Sequence, residues 1–188
     1  MIFGKSDQFA IEAVLEPGPE FGPVQGNNLV GRIRVWLRGK SIGDFDEPAC
    51  WLGPPASDFV EQLAQVDRLW DPALEGLRPD SVFAQLDQWY FGESEITTAP
   101  DASKAGGAPG EVHRFVFLTN WSESFDGWKA FLVRISESEL MALVLADGSV
   151  TISVFRVPVQ IYREAVQTFA QWLSDQERVL LPHLDRQK

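Results

Sequence analysis

The stretch "LVGRIRVWLRG" (29–39) sorts its side chains onto alternate positions. Leu29, Gly31, Ile33, Val35 and Leu37 fall on one side, and Arg32, Arg34, Trp36 and Arg38 on the other. An extended strand separates two such sets, because successive side chains of a strand point to opposite faces. A strand divided this way needs neighbours for its backbone groups and a core for its apolar side. The flanking segments offer both. Gln8 to Glu16 alternates in the same manner, with Phe9, Ile11, Ala13 and Leu15 opposite Gln8, Glu12 and Glu16. "GKSIGDF" (39–45) reads as a turn and a short third strand, completing a meander, with Gly39 and Gly43 placed where the backbone must turn. "PGPEFGPVQGNN" (17–28) carries three prolines and three glycines and reads as the loop between the first two strands.

Past residue 45 the period changes. "SDFVEQLAQVDRLW" (57–70) reads as a helix with Phe59, Val60, Leu63, Val66 and Trp70 as its apolar stripe, and Asp58 and Glu61 as a capping box at its start. A second helix is expected after Pro79, capped by Asp80 or Ser81, with Val82, Phe83, Leu86, Trp89 and Tyr90 facing inward. "TTAPDASKAGGAPGE" (97–111) has almost no bulky apolar residue and reads as a mobile surface loop. Four strands are then expected at 111–118, 127–136, 139–146 and 150–157, with Asp147-Gly148 as a hairpin turn. A long closing helix follows over 158–181, with Pro158 in its first turn and Ile161, Ala165, Phe169, Trp172 and Leu173 at helical spacing. Strands, helices, strands and helix without βαβ alternation predict an α+β fold. The expected architecture is a mostly antiparallel sheet flanked by helices, with a long C-terminal helix, in one domain spanning 1–188.

Charge is distributed more unevenly than sequence position requires. The net charge of the 188 residues is −11, and all of it lies within 44–101, where thirteen Asp and Glu face only Arg68 and Arg78. Such a field disfavours nucleic acid and anionic membrane and favours basic protein surfaces, although an acidic face also serves solubility. No apolar run approaches the roughly 20 residues of a membrane span. The opening has no basic segment followed by an apolar one, and the single cysteine, Cys50, has no partner for an internal disulfide. A cytoplasmic location is therefore expected.

Catalysis requires convergent groups, and the sequence offers few. His113 and His183 lie far apart, and with Cys50 they show no metal-ligand spacing. Cys50, between Ala49 and Trp51, reads as a small buried hydrophobe rather than a nucleophile. No serine sits in a nucleophile elbow, and "GGAPG" (106–110) lacks the lysine and preceding strand of a phosphate loop. Asp44 and Asp46 in "GDFDEP" fall on one side of a strand end, compatible with a hydrolase carboxylate pair and with an ordinary solvated turn. No cofactor or metal is expected. Besides a binding protein, the open alternatives are a small carboxylate-dependent hydrolase and an adaptor that self-associates through its aromatic surface, the chain holding seven Trp and thirteen Phe.

"MIFG" followed closely by "FAIE", and then the strand–turn–strand "WLRGKSIGD", together resemble the immunity protein 42 family of bacterial polymorphic toxin systems. The likeness is best over about residues 1–46; "PGPEFGPVQGNN" and the loop at 97–110 match no pattern of that family. The resemblance implies a non-catalytic protein that binds and neutralises a cognate toxin in the bacterial cytoplasm. It also gives the acidic segment a role, since toxins that act on nucleic acid are commonly basic and an acidic inhibitor would associate with them fast. The expected partner-binding residues are Asp58, Glu61, Asp67, Asp71 and Glu75. Asp58 and Glu61 serve equally as helix caps, and Asp71 as a turn residue before Pro72.

Overall fold

A computed structural model describes residues 1–16, 22–25, 28–46, 50–92 and 112–181. The first sheet is built on the alternating stretch. Strand β4 (Asn28–Leu37) pairs antiparallel along its length with β2 (Phe9–Leu15), in the register Phe9 to Leu37 and Glu12 to Arg34. β1 (Ile2–Lys5) adds to the outer side of β2. β3 (Val24–Gln25) pairs with the start of β4, and the edge of β4 opposite β2 is shared by two short strands, β5 (Lys40–Ile42) and β6 (Cys50–Trp51). The expected side-chain sorting holds: Leu29, Ile33, Val35 and Leu37 are buried, while Arg32, Arg34 and Trp36 stay half-exposed on the outer face. β4 and β5 are joined by Arg38 and Gly39, both with positive φ (52° and 83°), the two-residue turn that matches strand twist. Gly43 also has positive φ (103°), and a Cβ there would come within 2.7 Å of the Phe125 ring.

The second sheet runs β7 (Trp128–Arg134), β8 (Glu139–Ala146) and β9 (Ser153–Pro158), all antiparallel. Among the described residues, three α-helices cover the sheets: α1 (Gly53–Ala64), α2 (Pro79–Phe91) and α3 (Val159–Leu180). The fold is α+β with a long C-terminal helix, and its antiparallel strands form two sheets rather than one. α3 packs on β1 and β2 and against α1. A cluster of rings sits where these meet. Phe9 contacts Tyr162 with ring centroids 5.0 Å apart, and Phe59 meets Phe169 edge-on at 6.1 Å. One contiguous set of buried apolar side chains runs from β1 through both sheets to α3. The interior is held by area removed from water, about 25 cal/mol for each Å² of apolar surface.

Several expectations are corrected. α1 begins at Gly53, not Ser57, because Pro54 and Pro55 occupy its first turn, where a missing N–H costs nothing. Asp58 and Glu61 therefore lie within the helix and do not cap it. The helix ends at Ala64 and passes into a 3₁₀ turn at Val66–Arg68, so Trp70 leaves the stripe. Val60 and Trp70 are 46% and 40% exposed, whereas Gln62 is buried. At α2, the Asp80 carboxylate accepts the Ser81 amide at 3.0 Å, but the residue preceding the helix is Arg78, and Tyr90 is exposed rather than inward-facing.

The stretch read as a strand at 111–118 is instead a 3₁₀ turn at Val112–Phe115 followed by one bridge, Val116 to Phe131. The hairpin after β8 is wider than two residues. Gly148 takes positive φ (68°) and the next strand starts only at Ser153. Pro158 stands just outside α3, which it precedes. The loop at 97–110 and His183 lie outside the described residues.

Candidate partner-binding site

α1 shows two faces. Phe59 points into the ring cluster, fully buried, and Gln62 beside it is 5% exposed. Polar burial of this kind requires partners. The Gln62 amide donates to the Val116 carbonyl (2.7 Å) and more weakly to that of Arg114 (3.4 Å), while its oxygen accepts the Tyr162 hydroxyl (3.0 Å). Gln62 thereby ties α1 to α3 and to the segment 112–121. Burial pushes the Tyr162 phenol far above the usual tyrosine range, so it remains a donor.

That segment is shaped by its own turns. Leu118 and Asn120 both take positive φ (62° and 59°), on either side of Thr119. The buried Thr119 hydroxyl accepts the Ala130 amide at 2.7 Å, fastening the turn to β7. Trp121 stands edge-on to Phe59 (4.7 Å) and Phe117 (5.7 Å). Between α1, Tyr90 of α2 and this segment opens a pocket of about 270 Å³. Asp58, Glu61 and Gln62 line it from α1, Gln65 from just past the end of that helix, and His113, Arg114, Val116, Thr119, Asn120 and Trp121 from the segment.

The expected binding residues are placed as follows. Asp58 and Glu61, one helical turn apart, share the pocket wall. Burial, and then the neighbouring Glu61 charge, hold the Asp58 carboxyl above the usual aspartate range. Glu61 is exposed and accepts a long hydrogen bond from Gln65 at 3.5 Å. Asp67 sits in the 3₁₀ turn after α1 and pairs with Arg134 of β7. Asp71 accepts the Ala73 amide (3.0 Å) at the start of the turn Pro72–Leu74, and pairs with Arg114 at 3.4 Å. Glu75 is exposed just after that turn.

The fold thus neutralises part of the acidic segment from within. Arg134, Arg114 and Lys129, all from the C-terminal half, pair with Asp67, Asp71 and the buried Asp87. Asp58, Glu61 and Glu75 meet no such cation among the described residues. The charge that remains unneutralised is narrower than the sequence count suggested, and two of its members converge on one concavity. His113, Arg114, Asn120, Trp121 and Tyr90 were not singled out from the sequence as binding residues. The run "FLTNWSES" (117–124), where an apolar stretch gives way to turn-forming polar residues, is the signal that marks the segment as a turn.

Asp44 and Asp46 form a turn. The Asp44 carboxylate accepts the Asp46 amide at 2.9 Å and both residues are exposed. Cys50 is buried, at 1% exposure. Among the described residues, no three His, Cys, Asp or Glu side chains are grouped as a metal site requires, and no helix is long and apolar enough to cross a membrane.

Comparison with known proteins adds two findings. A family model described as Immunity protein 42 matches residues 1–172. The crystal structure of a CdiI from Burkholderia dolosa AUO158 has the same fold, with a TM-score of 0.55 at 14% identity, covering 89% of this chain and 99% of that one. No curated protein matches the chain.

Proposed function

The chain belongs to the immunity protein 42 family, and from that membership we propose that it binds and neutralises a cognate toxin domain without catalysing a reaction of its own. The family match over residues 1–172 carries this reading. The likeness in fold to a CdiI supports it. Neutralisation is taken to occur in the bacterial cytoplasm, in keeping with the lone thiol of Cys50, which calls for no oxidising compartment.

The toxin surface is taken to be basic and to contact the 44–101 region. Within it, Asp58 and Glu61 are the leading contacts and Glu75 the next, because their charges are not spent on internal cations. Asp67 and Asp71 belong to the same region but are already engaged by Arg134 and Arg114. Complementary charge of this kind chiefly speeds association and sets specificity.

The test is co-expression of the full chain with the toxin domain encoded beside its gene. Protection of the cells, with a stable complex on purification, is expected. Continued killing in the presence of abundant folded protein would reject the reading.

A further inference from the structure

We propose that the pocket between α1 and the segment 112–121 receives one arginine side chain of the partner, its guanidinium held by the carboxylates of Asp58 and Glu61. This rests on the reading of the chain as a toxin-binding protein and names the chemistry by which its acidic face would anchor. The volume of about 270 Å³ admits a single extended side chain, not a large ligand. Its walls combine the two carboxylates with the side-chain amides of Gln65 and Asn120, so acceptors meet an entering cation from both α1 and the turn. Tyr90 and Trp121 add aromatic surface, a favourable lining for a weakly hydrated guanidinium.

Arg114 also lines the pocket but is committed elsewhere. Its guanidinium lies 4.5 Å from the centre of the Phe115 ring and donates to the Trp70 carbonyl (3.3 Å) and to Asp71 (3.4 Å). The two carboxylates, by contrast, face each other's charge. Partial burial and Glu61 both oppose ionisation of Asp58, so the protein without its partner carries an unfavourable pair at this wall. An arriving cation screens the repulsion and compensates the charge that burial strips of water. A carboxylate kept where it costs stability is the pattern of a residue retained for binding. Arginine fits better than lysine because a planar fork of five donors can bridge two carboxylates, whereas an ammonium is a compact point charge.

Argininamide is the probe, with citrullinamide as its neutral isostere, titrated into the full-length protein and followed by amide and indole NMR shifts. Argininamide is expected to move the signals of Asp58, Glu61, Asn120 and the Trp121 indole with a Kd of about 1–10 mM. Citrullinamide should bind at least about tenfold more weakly, as loss of the charge-assisted contacts implies. The double variant Asp58→Asn/Glu61→Gln should lose the shifts while keeping or raising the thermal midpoint of the wild type.

Equal shifts with both probes, shifts confined to another surface, or shifts that survive in the double variant would each overturn the proposal. So would stronger binding of lysinamide than of argininamide. The neighbouring toxin domain provides the second arm. If it binds wild type and the double variant with equal affinity, the pocket assignment fails and neutralisation stands. If argininamide occupies the pocket but the toxin is neither bound nor inhibited, the pocket stands and neutralisation fails.

Discussion

Gln62 and Tyr162, one hundred residues apart in sequence, share a buried hydrogen bond of 3.0 Å that joins α1 to α3. Both side chains are withdrawn from water, and the same Gln62 amide holds the Val116 carbonyl behind the pocket. Gln62→Leu would strand a phenol hydroxyl and a backbone carbonyl, a loss of about 2–3 kcal/mol. Tyr162→Phe removes a single partner and should cost about 1–1.5 kcal/mol. Because the two changes delete the same bond, the double variant should lose less than the two losses added together, measured by urea unfolding. Strict additivity would mean that the bond does not form in solution.

Asp58→Asn should leave stability at neutral pH within about 0.5 kcal/mol of wild type, or raise it. The sign follows from Asp58 having a higher pKa folded than unfolded. Its contribution to stability is fully present below the unfolded aspartate value and is lost as pH rises through the folded one. The variant should therefore gain on wild type as pH increases across that window. Parallel stability curves from pH 3 to pH 7 would contradict this.

Glu12 behaves oppositely. Burial pushes its carboxyl up, but hydrogen bonds from Arg34 Nε and Trp36 Nε1, both at 2.8 Å, outweigh burial and hold it below the usual glutamate range. The Arg34 guanidinium also lies between the Trp36 and Phe45 rings, at 4.7 and 4.4 Å. A lowered folded pKa gives stability that is present above the unfolded glutamate value and lost as pH falls through the folded one. Glu12→Gln should cost about 1 kcal/mol at pH 7, and that difference should shrink in acid, as followed by chemical denaturation at several pH values.

Gly31 admits no side chain. A Cβ there would stand 2.1 Å from the Val14 carbonyl oxygen and 2.8 Å from a Leu52 methyl. Backbone on the paired strand cannot move aside without breaking the β2–β4 register. Gly31→Ala should destabilise by about 2 kcal/mol or more, within the range for overpacked interiors. A thermal midpoint equal to that of the wild type would show that the two strands yield at this point.

The double change Asp67→Ser/Arg134→Gln should slow association with a basic partner much less than Glu61→Ser does. Asp67 is paired with Arg134, so removing both leaves the net charge unchanged, whereas Glu61→Ser removes a charge that no internal cation offsets. Stopped-flow association at two salt concentrations measures the difference, and the effect of Glu61 should fade at high salt. Equal slowing by both changes would mean that internal pairing leaves the outward field untouched.

The first sheet was legible in the sequence because strand alternation is a local property. Phe9, Ile11, Ile33, Val35 and Leu37 announce their buried side wherever the strand is placed. The same holds for α3, whose long amphipathic pattern needs no neighbour to be seen. The start of α1 was hidden by Pro54 and Pro55, which break a helix interior but suit a first turn. The register of Phe9 against Leu37 and Ala10 against Trp36 sets "FAIE" beside the start of "WLRGKSIGD", two of the stretches in which the family resemblance was visible.

The candidate site was legible only in part. Asp58 and Glu61 stood out through charge, but their shared pocket requires a turn at 117–121 and a tyrosine from α2. Side-chain alternation and net charge are written into the order of residues, so strand faces and the acidic bias were decided there. Which acids remain unneutralised was decided by tertiary structure. Coulombic pairing depends on distance in space, and chain folding alone carries Arg134 to Asp67 and Arg114 to Asp71 while leaving Asp58 and Glu61 facing an open cavity.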